Sequence, residues 1–69
     1  MSGNDHDREL VQKAYDAKVE SLVTGLFAVL ITAEEADEIE SAERRFQIVV
    51  TKTRKARDRA LELLPSSTV

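Results

Sequence analysis

The sequence predicts an all-α fold, an antiparallel hairpin of two helices that pack in the manner of a coiled coil. From Ile39 to Leu63, residues spaced alternately three and four apart are apolar, and Thr53 is the one polar member. This spacing places side chains on one stripe of an α-helix. Two glycines, one proline and 4% aromatic residues leave few turn formers and few strand formers. The stripe consists of Ile39, Ala42, Phe46, Val49, Thr53, Ala56, Ala60 and Leu63.

A first helix is predicted over about residues 5–30, with Asn4 or Asp5 as its N-cap. Its residues 21–30, with the three that follow, form a segment with no charged side chain in any direction. A helical segment that is uncharged all round is normally buried all round, which a single neighbouring helix cannot achieve. We therefore expect residues 21–33 to form the centre of an oligomer. The apolar residues form one stripe of Val11, Tyr15, Val19, Leu22, Leu26 and Val29, and a second of Val23, Phe27 and Leu30.

The turn between the helices is predicted at residues 31–32. Thr32 and Glu35 have the spacing of a capping box, in which each side chain accepts a hydrogen bond from the backbone N–H of the other residue. A second helix then covers about residues 33–64, Pro65 ends it, and residues 65–69 form a disordered tail. One long kinked helix is the alternative. The hairpin is favoured because the stripes on either side of Thr32 would otherwise need separate partners.

A homodimer that forms a four-helix bundle is the expected assembly. The chain is expected to be one small domain. It has no cysteine for disulfides, so self-association is the expected additional source of stability. A fold-back near Ile31 would also carry the second helix beyond the first, leaving its last leucines without an intrachain partner. The predicted core is Val19, Leu22, Leu26, Val29, Ile39, Phe46 and Val49. The predicted interface with a second copy or a partner helix is Leu22, Val23, Leu26, Phe27, Leu30, Phe46, Leu61 and Leu64.

No catalytic residue, metal site or cofactor is predicted. The lone histidine, His6, has no second ligand nearby. Glu34, Glu35 and Glu38 have an E-E-x-x-E spacing that resembles half of the magnesium site in all-α nucleotide pyrophosphohydrolases. The second acidic box of those enzymes is missing, so an acidic, solvated start of a helix is the favoured interpretation. The protein is not expected to be an enzyme.

A basic segment near the end of the second helix supports an alternative function, the binding of RNA or DNA. Phosphate contacts need a local cluster of cations, although the net charge of −3 and the absence of interleaved aromatic residues weaken this interpretation. The candidate contacts are Lys52, Arg54, Lys55, Arg57 and Arg59. The last three residues, Ser67 to Val69, have the S/T-x-V form that resembles ligands of PDZ domains, but a frayed polar tail is the favoured interpretation.

Residues 30–39, LITAEEADEI, resemble the turn and the start of the second helix in Rop-type RNA regulators. Those proteins are short acidic hairpins that dimerise into four-helix bundles, and the resemblance implies the same assembly here. That family binds RNA through the first helix, and its phenylalanine falls near Asp16 when the turns are aligned. No RNA-binding residue is therefore carried over.

The function predicted first is that of a non-catalytic protein–protein interaction module, a regulator, adaptor or small chaperone. It would act by self-association and by binding a helix of another protein. The polar, acidic N-terminal residues lack the apolar run of a signal peptide. The longest uncharged run is shorter than the roughly 20 apolar residues that a bilayer requires. A cytoplasmic protein without a membrane partner is expected.

Overall fold

A computed structural model of the protein describes residues 3–64, with side chains from Asp5 onwards. The helix α1 spans Gly3–Thr32, and α2 spans Ala36–Leu63. Three residues join them, and the two helices pack against each other along their length. The predicted all-α hairpin is confirmed, and a single kinked helix is excluded. The predicted tail, residues 65–69, lies outside the described residues.

The Cα atoms fill a flat rod of 56 × 16 × 8 Å. A thickness of 8 Å corresponds to one layer of helices. A second layer would add about 8–10 Å, because the axes of helices in contact lie that far apart. Each helix therefore has one neighbour only within the described chain. Neither helix contains, within the part of the chain described, a stretch apolar and long enough to cross a membrane.

The turn lies at residues 33–35, later than predicted. The Thr32 hydroxyl donates to the Ala28 carbonyl at 2.7 Å, and the Ala33 N–H donates to the Val29 carbonyl at 2.7 Å. Both bonds continue the helical pattern of α1 through Thr32. A capping box would require Thr32 to leave the helical conformation, so the predicted box and the turn at 31–32 are wrong.

Glu35, with extended backbone angles of φ −114° and ψ 143°, is the N-cap of α2. Its carbonyl accepts a bond from the Glu38 N–H at 3.2 Å, but no side chain caps the helix. The first turn of α2 instead places Asp37 and Glu38 at the positive end of the helix dipole. At the other end of the hairpin, α1 already includes Asn4 and Asp5, which were predicted to cap it.

The two helices meet along a seam of half-buried residues. The predicted core residues all lie on it, but no described residue is fully buried. We call this stripe the seam: Asp7, Val11, Tyr15, Val19, Leu22, Leu26 and Val29 of α1, with Ile39, Ala42, Phe46, Val49, Thr53, Arg57 and Ala60 of α2 and its C-cap Leu64.

The second half of the predicted α2 stripe is displaced. Ala56 is exposed and Leu63 is 69% exposed, whereas Arg57 and Leu64 take the half-buried positions. An α-helix has 3.6 residues per turn, so a strict repeat of 3.5 drifts around the helix unless the pair supercoils. After Thr53 the seam takes a step of four where the repeat requires three, and this step corrects the drift.

The expectation that α2 extends beyond α1 is also wrong. The helices contain 30 and 28 residues. Leu61, near the end of α2, lies beside α1 in a shallow depression with Arg8 and Gln12, so α1 is the helix that extends farther at the open end. Leu61 and Leu64 are half-buried within one chain, and Leu63 is the exposed leucine.

Two substitutions distinguish the observed turn from a capping box. Glu35→Asp shortens the N-cap carboxylate so that it can accept a bond from the first turn of α2, and we expect it to stabilise the protein by about 0.5–1 kcal/mol. Thr32→Ala removes only a bond to the Ala28 carbonyl and should change stability by less than about 0.5 kcal/mol. Urea unfolding at one protein concentration measures both. If Thr32→Ala lowered the free energy of unfolding by about 1 kcal/mol and Glu35→Asp left it unchanged, the capping box would be supported and the observed turn contradicted.

Candidate interaction surface

The helices differ in how their apolar side chains are distributed. Those of α2 concentrate toward the seam, whereas those of α1 point in nearly all directions. The difference arises in residues 21–32 of α1, which include no charged side chain. Because α2 covers only one side of α1, the remaining apolar side chains of this segment face solvent.

The residue that follows each seam residue defines one side of the hairpin. Successive residues of a helix are rotated by 100°, and the sense of rotation reverses between antiparallel helices seen from one end. The residues after the seam therefore point to the same side from both helices. We call it the apolar side. In α1 it carries Arg8, Gln12, Asp16, Glu20, Val23, Phe27 and Leu30, and in α2 it carries Glu40, Glu43, Gln47, Val50, Arg54, Asp58 and Leu61.

Large apolar side chains are concentrated on the apolar side of α1 near the turn. Val23 is half-buried, Phe27 is 57% exposed and Leu30 is 40% exposed. Ile31 lies one residue beyond and is 80% exposed. These residues are spaced at i, i+4, i+7 and i+8, which places them along one edge of the helix. The result is a continuous apolar strip about two helical turns long.

The opposite side of the hairpin carries small residues. Ser21 and Gly25 line a shallow groove with Ala42 and Arg45. A Cβ atom placed on Gly25 would meet no other atom within 4 Å. The groove is therefore open, and small side chains on this side leave the seam residues Leu22 and Val49 partly accessible from it.

The predicted interface residues occupy three places. Leu22, Leu26 and Phe46 lie in the seam, while Val23, Phe27 and Leu30 lie on the apolar side. Leu61 and Leu64 lie at the open end of the hairpin. The large exposed apolar residues outside the predicted set are Leu10, Ile31, Ile48 and Leu63. Ile31 was assigned to the turn, and the continuation of the Val23–Phe27–Leu30 spacing by one residue is the signal that could have found it.

The five predicted nucleic-acid contacts do not form one surface. The Arg57 guanidinium lies over the Tyr15 ring, 4.5 Å from its centroid, and contacts the Asp58 carboxylate at 3.1 Å. Its side chain is 27% exposed. Arg59 pairs with Glu62 at 3.4 Å on the solvent-exposed surface. Of the rest, Arg54 lies on the apolar side, while Lys52 and Lys55 lie on the outer surface of α2 beside Ile48 and Thr51.

The acids at the start of α2 lie at the turn end of the rod, where they are exposed to solvent. Among the residues that the structure describes, no group of three or more histidine and carboxylate side chains is placed to hold a metal ion. Glu34 and Glu35 lie in the turn, and Glu38 lies in the first turn of α2, all exposed to solvent. These carboxylates instead give the turn end of the rod a strong negative charge.

Comparisons of the chain with protein-family models, with curated proteins and with solved structures give no match.

A double-mutant cycle tests the placement of Arg57 in the seam. Tyr15→Leu and Arg57→Met should show a coupling energy of about 0.5–1 kcal/mol, because a cation over an aromatic ring at a partly exposed site contributes that much. Urea unfolding at fixed protein concentration measures it. The matched control cycle pairs Tyr15→Leu with Arg54→Met, which should show no coupling. Equal coupling in the two cycles would contradict the contact between Arg57 and the ring.

Proposed function

We propose that the protein is a non-catalytic helical interaction module that works by self-association and by binding a helix of a partner protein. The regulator, adaptor and small-chaperone classes all work in this way. One observation carries the proposal: Phe27, Leu30 and Ile31 present a continuous apolar strip to solvent, while no described residue is fully buried. A strip of this kind on a soluble domain typically marks a site of protein contact.

The cost of leaving this surface exposed supports association. Complete burial of one Phe, Leu or Ile side chain contributes about 1.5–3 kcal/mol relative to leaving it in water. The seam residues also gain, because Leu22, Leu26 and Phe46 are only half-buried in the hairpin. A second layer of helices would complete their burial, since stable domains are usually built from at least two packed layers.

A dimeric four-helix bundle is the assembly that best fits these requirements. Two hairpins stacked through their apolar sides would form two layers, with coiled-coil-like packing around the seam residues. A partner protein could supply the second layer instead, by laying an amphipathic helix along the Val23–Ile31 strip. Self-association and partner binding would then compete for the same surface, which is a simple basis for regulation.

Nucleic-acid binding receives less support. Arg57 packs on Tyr15 and Arg59 pairs with Glu62, while the other three cations of the basic segment are divided between two surfaces. Affinity for a phosphate backbone grows with the number of cations that reach it together. Exposed aromatic side chains for base stacking are also lacking around Lys52 and Lys55. We therefore do not put it forward as a second function.

Phe27→Ser, compared with Ile48→Ser, tests the proposal. The two side chains are similarly exposed, at 57% and 50%, but Ile48 lies on the outer surface of α2 away from the apolar strip. Loss of about 1.5–3 kcal/mol per buried side chain predicts that Phe27→Ser raises the dimer dissociation constant at least about tenfold. Ile48→Ser should leave it nearly unchanged.

Sedimentation equilibrium across a concentration series measures both dissociation constants, with circular dichroism as the control for helix content. Two variants that weaken association equally would mean that the strip is not the interface. A wild-type chain that is monomeric and fully helical at every concentration would overturn self-association, and partner binding alone would be left.

A further inference from the structure

We infer that the apolar side is covered by a second copy of the chain in one particular arrangement, an antiparallel and staggered dimer whose uncharged segments overlap. The two turns point in opposite directions, and the two open ends extend beyond the overlap as separate arms. This inference rests on the proposed self-association and adds its orientation and register. Three features of the described residues carry it: the apolar pattern of α1, the charge pattern of α2 and the register between the helices.

The apolar side of α1 changes character once along its length. From the N-terminus to Glu20 it carries Arg8, Gln12, Asp16 and Glu20, and from Val23 to Leu30 it carries only apolar side chains. If two copies overlapped along their whole length, Phe27 and Leu30 of one would lie against the polar half of α1 in the other. Burial of the apolar half on both chains requires that only the halves near the turn overlap.

The two-fold axis then passes between Val23 and Phe27, close to the level of Gly25. The helix α1 of one chain packs antiparallel on α1 of the second copy. The helix α2 packs antiparallel on α2 of the second copy. Overlap of residues 17–33 corresponds to about 17 residues, or roughly 25 Å at 1.5 Å per residue. This length nearly coincides with the uncharged segment, residues 21–33.

The charges of α2 agree with this register. In one chain Leu22 lies near Val49 and Tyr15 lies near Arg57, which relates the levels of the two helices. A two-fold axis at the level of Gly25 lies at the level of residues 46–47 of α2, and it places residues 34–43 level with roughly residues 50–59 of the second copy. The first stretch holds six acids, and the second holds one acid, Asp58, and the five cations Lys52, Arg54, Lys55, Arg57 and Arg59. The acids concerned are Glu34, Glu35, Asp37, Glu38, Glu40 and Glu43.

Opposite charges therefore lie beside each other across the dimer on both sides of the apolar centre. Arg54 is well placed among them, because it lies on the apolar side and is level with residues 38–40 of the second copy, of which Glu40 also lies on the apolar side. Gln47, the apolar-side residue of α2 nearest the axis, is uncharged. Complementary charges of this kind fix orientation and register more than they add affinity.

A parallel dimer, with both turns at the same end, lacks these features. Its two-fold axis would run along the rod, so that α1 of one copy packs on α2 of the other. Phe27 and Leu30 would then lie against Glu40, Glu43 and Gln47 of the second copy, and the acidic turn ends would adjoin. Like charges held side by side destabilise an interface.

Spin labels at two exposed positions of the full chain test the arrangement. The protein has no cysteine, so Lys13→Cys and Thr24→Cys each give one clean labelling site. In the staggered antiparallel dimer, Thr24 lies near the axis, and its two labels should be within about 20 Å of each other. Lys13 lies about 12 residues from the axis in each copy, and its labels should be separated by about 35–40 Å.

Double electron–electron resonance measures both distances, in samples shown to be dimeric by light scattering and helical by circular dichroism. The expected result is a Lys13 distance at least about 15 Å longer than the Thr24 distance. Nearly equal distances would overturn the staggered arrangement, since both a parallel dimer and a fully overlapping one predict them. Absence of any dimer in light scattering would overturn the self-association on which the inference depends.

Discussion

The incomplete burial of the seam is the constraint on which the rest of the structure depends. Two helices in one layer can cover only one side of each other, so Leu22, Leu26 and Phe46 remain half-buried. The hydrophobic effect is the main favourable term in folding, and it is opposed by a conformational entropy of similar size. A hairpin without one fully buried described residue therefore has little to offset that entropy by itself. Burial of its exposed apolar strip would offset more of that entropy.

The charge distribution divides the rod into two halves of different polarity. Near the turn, an uncharged segment of α1 lies beside the acidic start of α2. Toward the open end, Tyr15, Thr53 and Arg57 make the seam more polar, and Arg57 covers the aromatic ring with its guanidinium. Such a seam contributes less apolar burial per turn. We therefore place the interaction surface in the half near the turn.

The sequence pattern was sufficient for the fold class and for the first half of the seam. Ile39, Phe46 and Val49 lie where the spacing places them, because a repeat of three and four stays on one side of a helix over two turns or so. It failed farther along α2, where drift moves Ala56 out of the seam and Arg57 into it. An arginine in the seam could not be anticipated from periodicity, since it depends on the position of Tyr15 in the other helix.

The turn could not be predicted for a related reason. Thr32 and Glu35 satisfy the sequence requirement of a capping box, but the Thr32 hydroxyl has an equally local partner in the Ala28 carbonyl. Which of these two bonds the Thr32 hydroxyl makes depends on where α1 must end so that the seam residues of the two helices can pack against each other. Exposure of Phe27 and Leu30 was foreseeable, because their stripe lies beside the seam. Exposure of Ile31 followed only from the later turn, which keeps this residue helical.

The central claim is that the hairpin is stabilised by burial between chains. The most direct measurement is thermal unfolding by circular dichroism over a hundredfold range of protein concentration, with light scattering on the same samples. We predict a helical dimer whose Tm falls steadily on dilution, because association stabilises a folded dimer by mass action. A monomer with the same helix content and the same Tm at every concentration would contradict the claim.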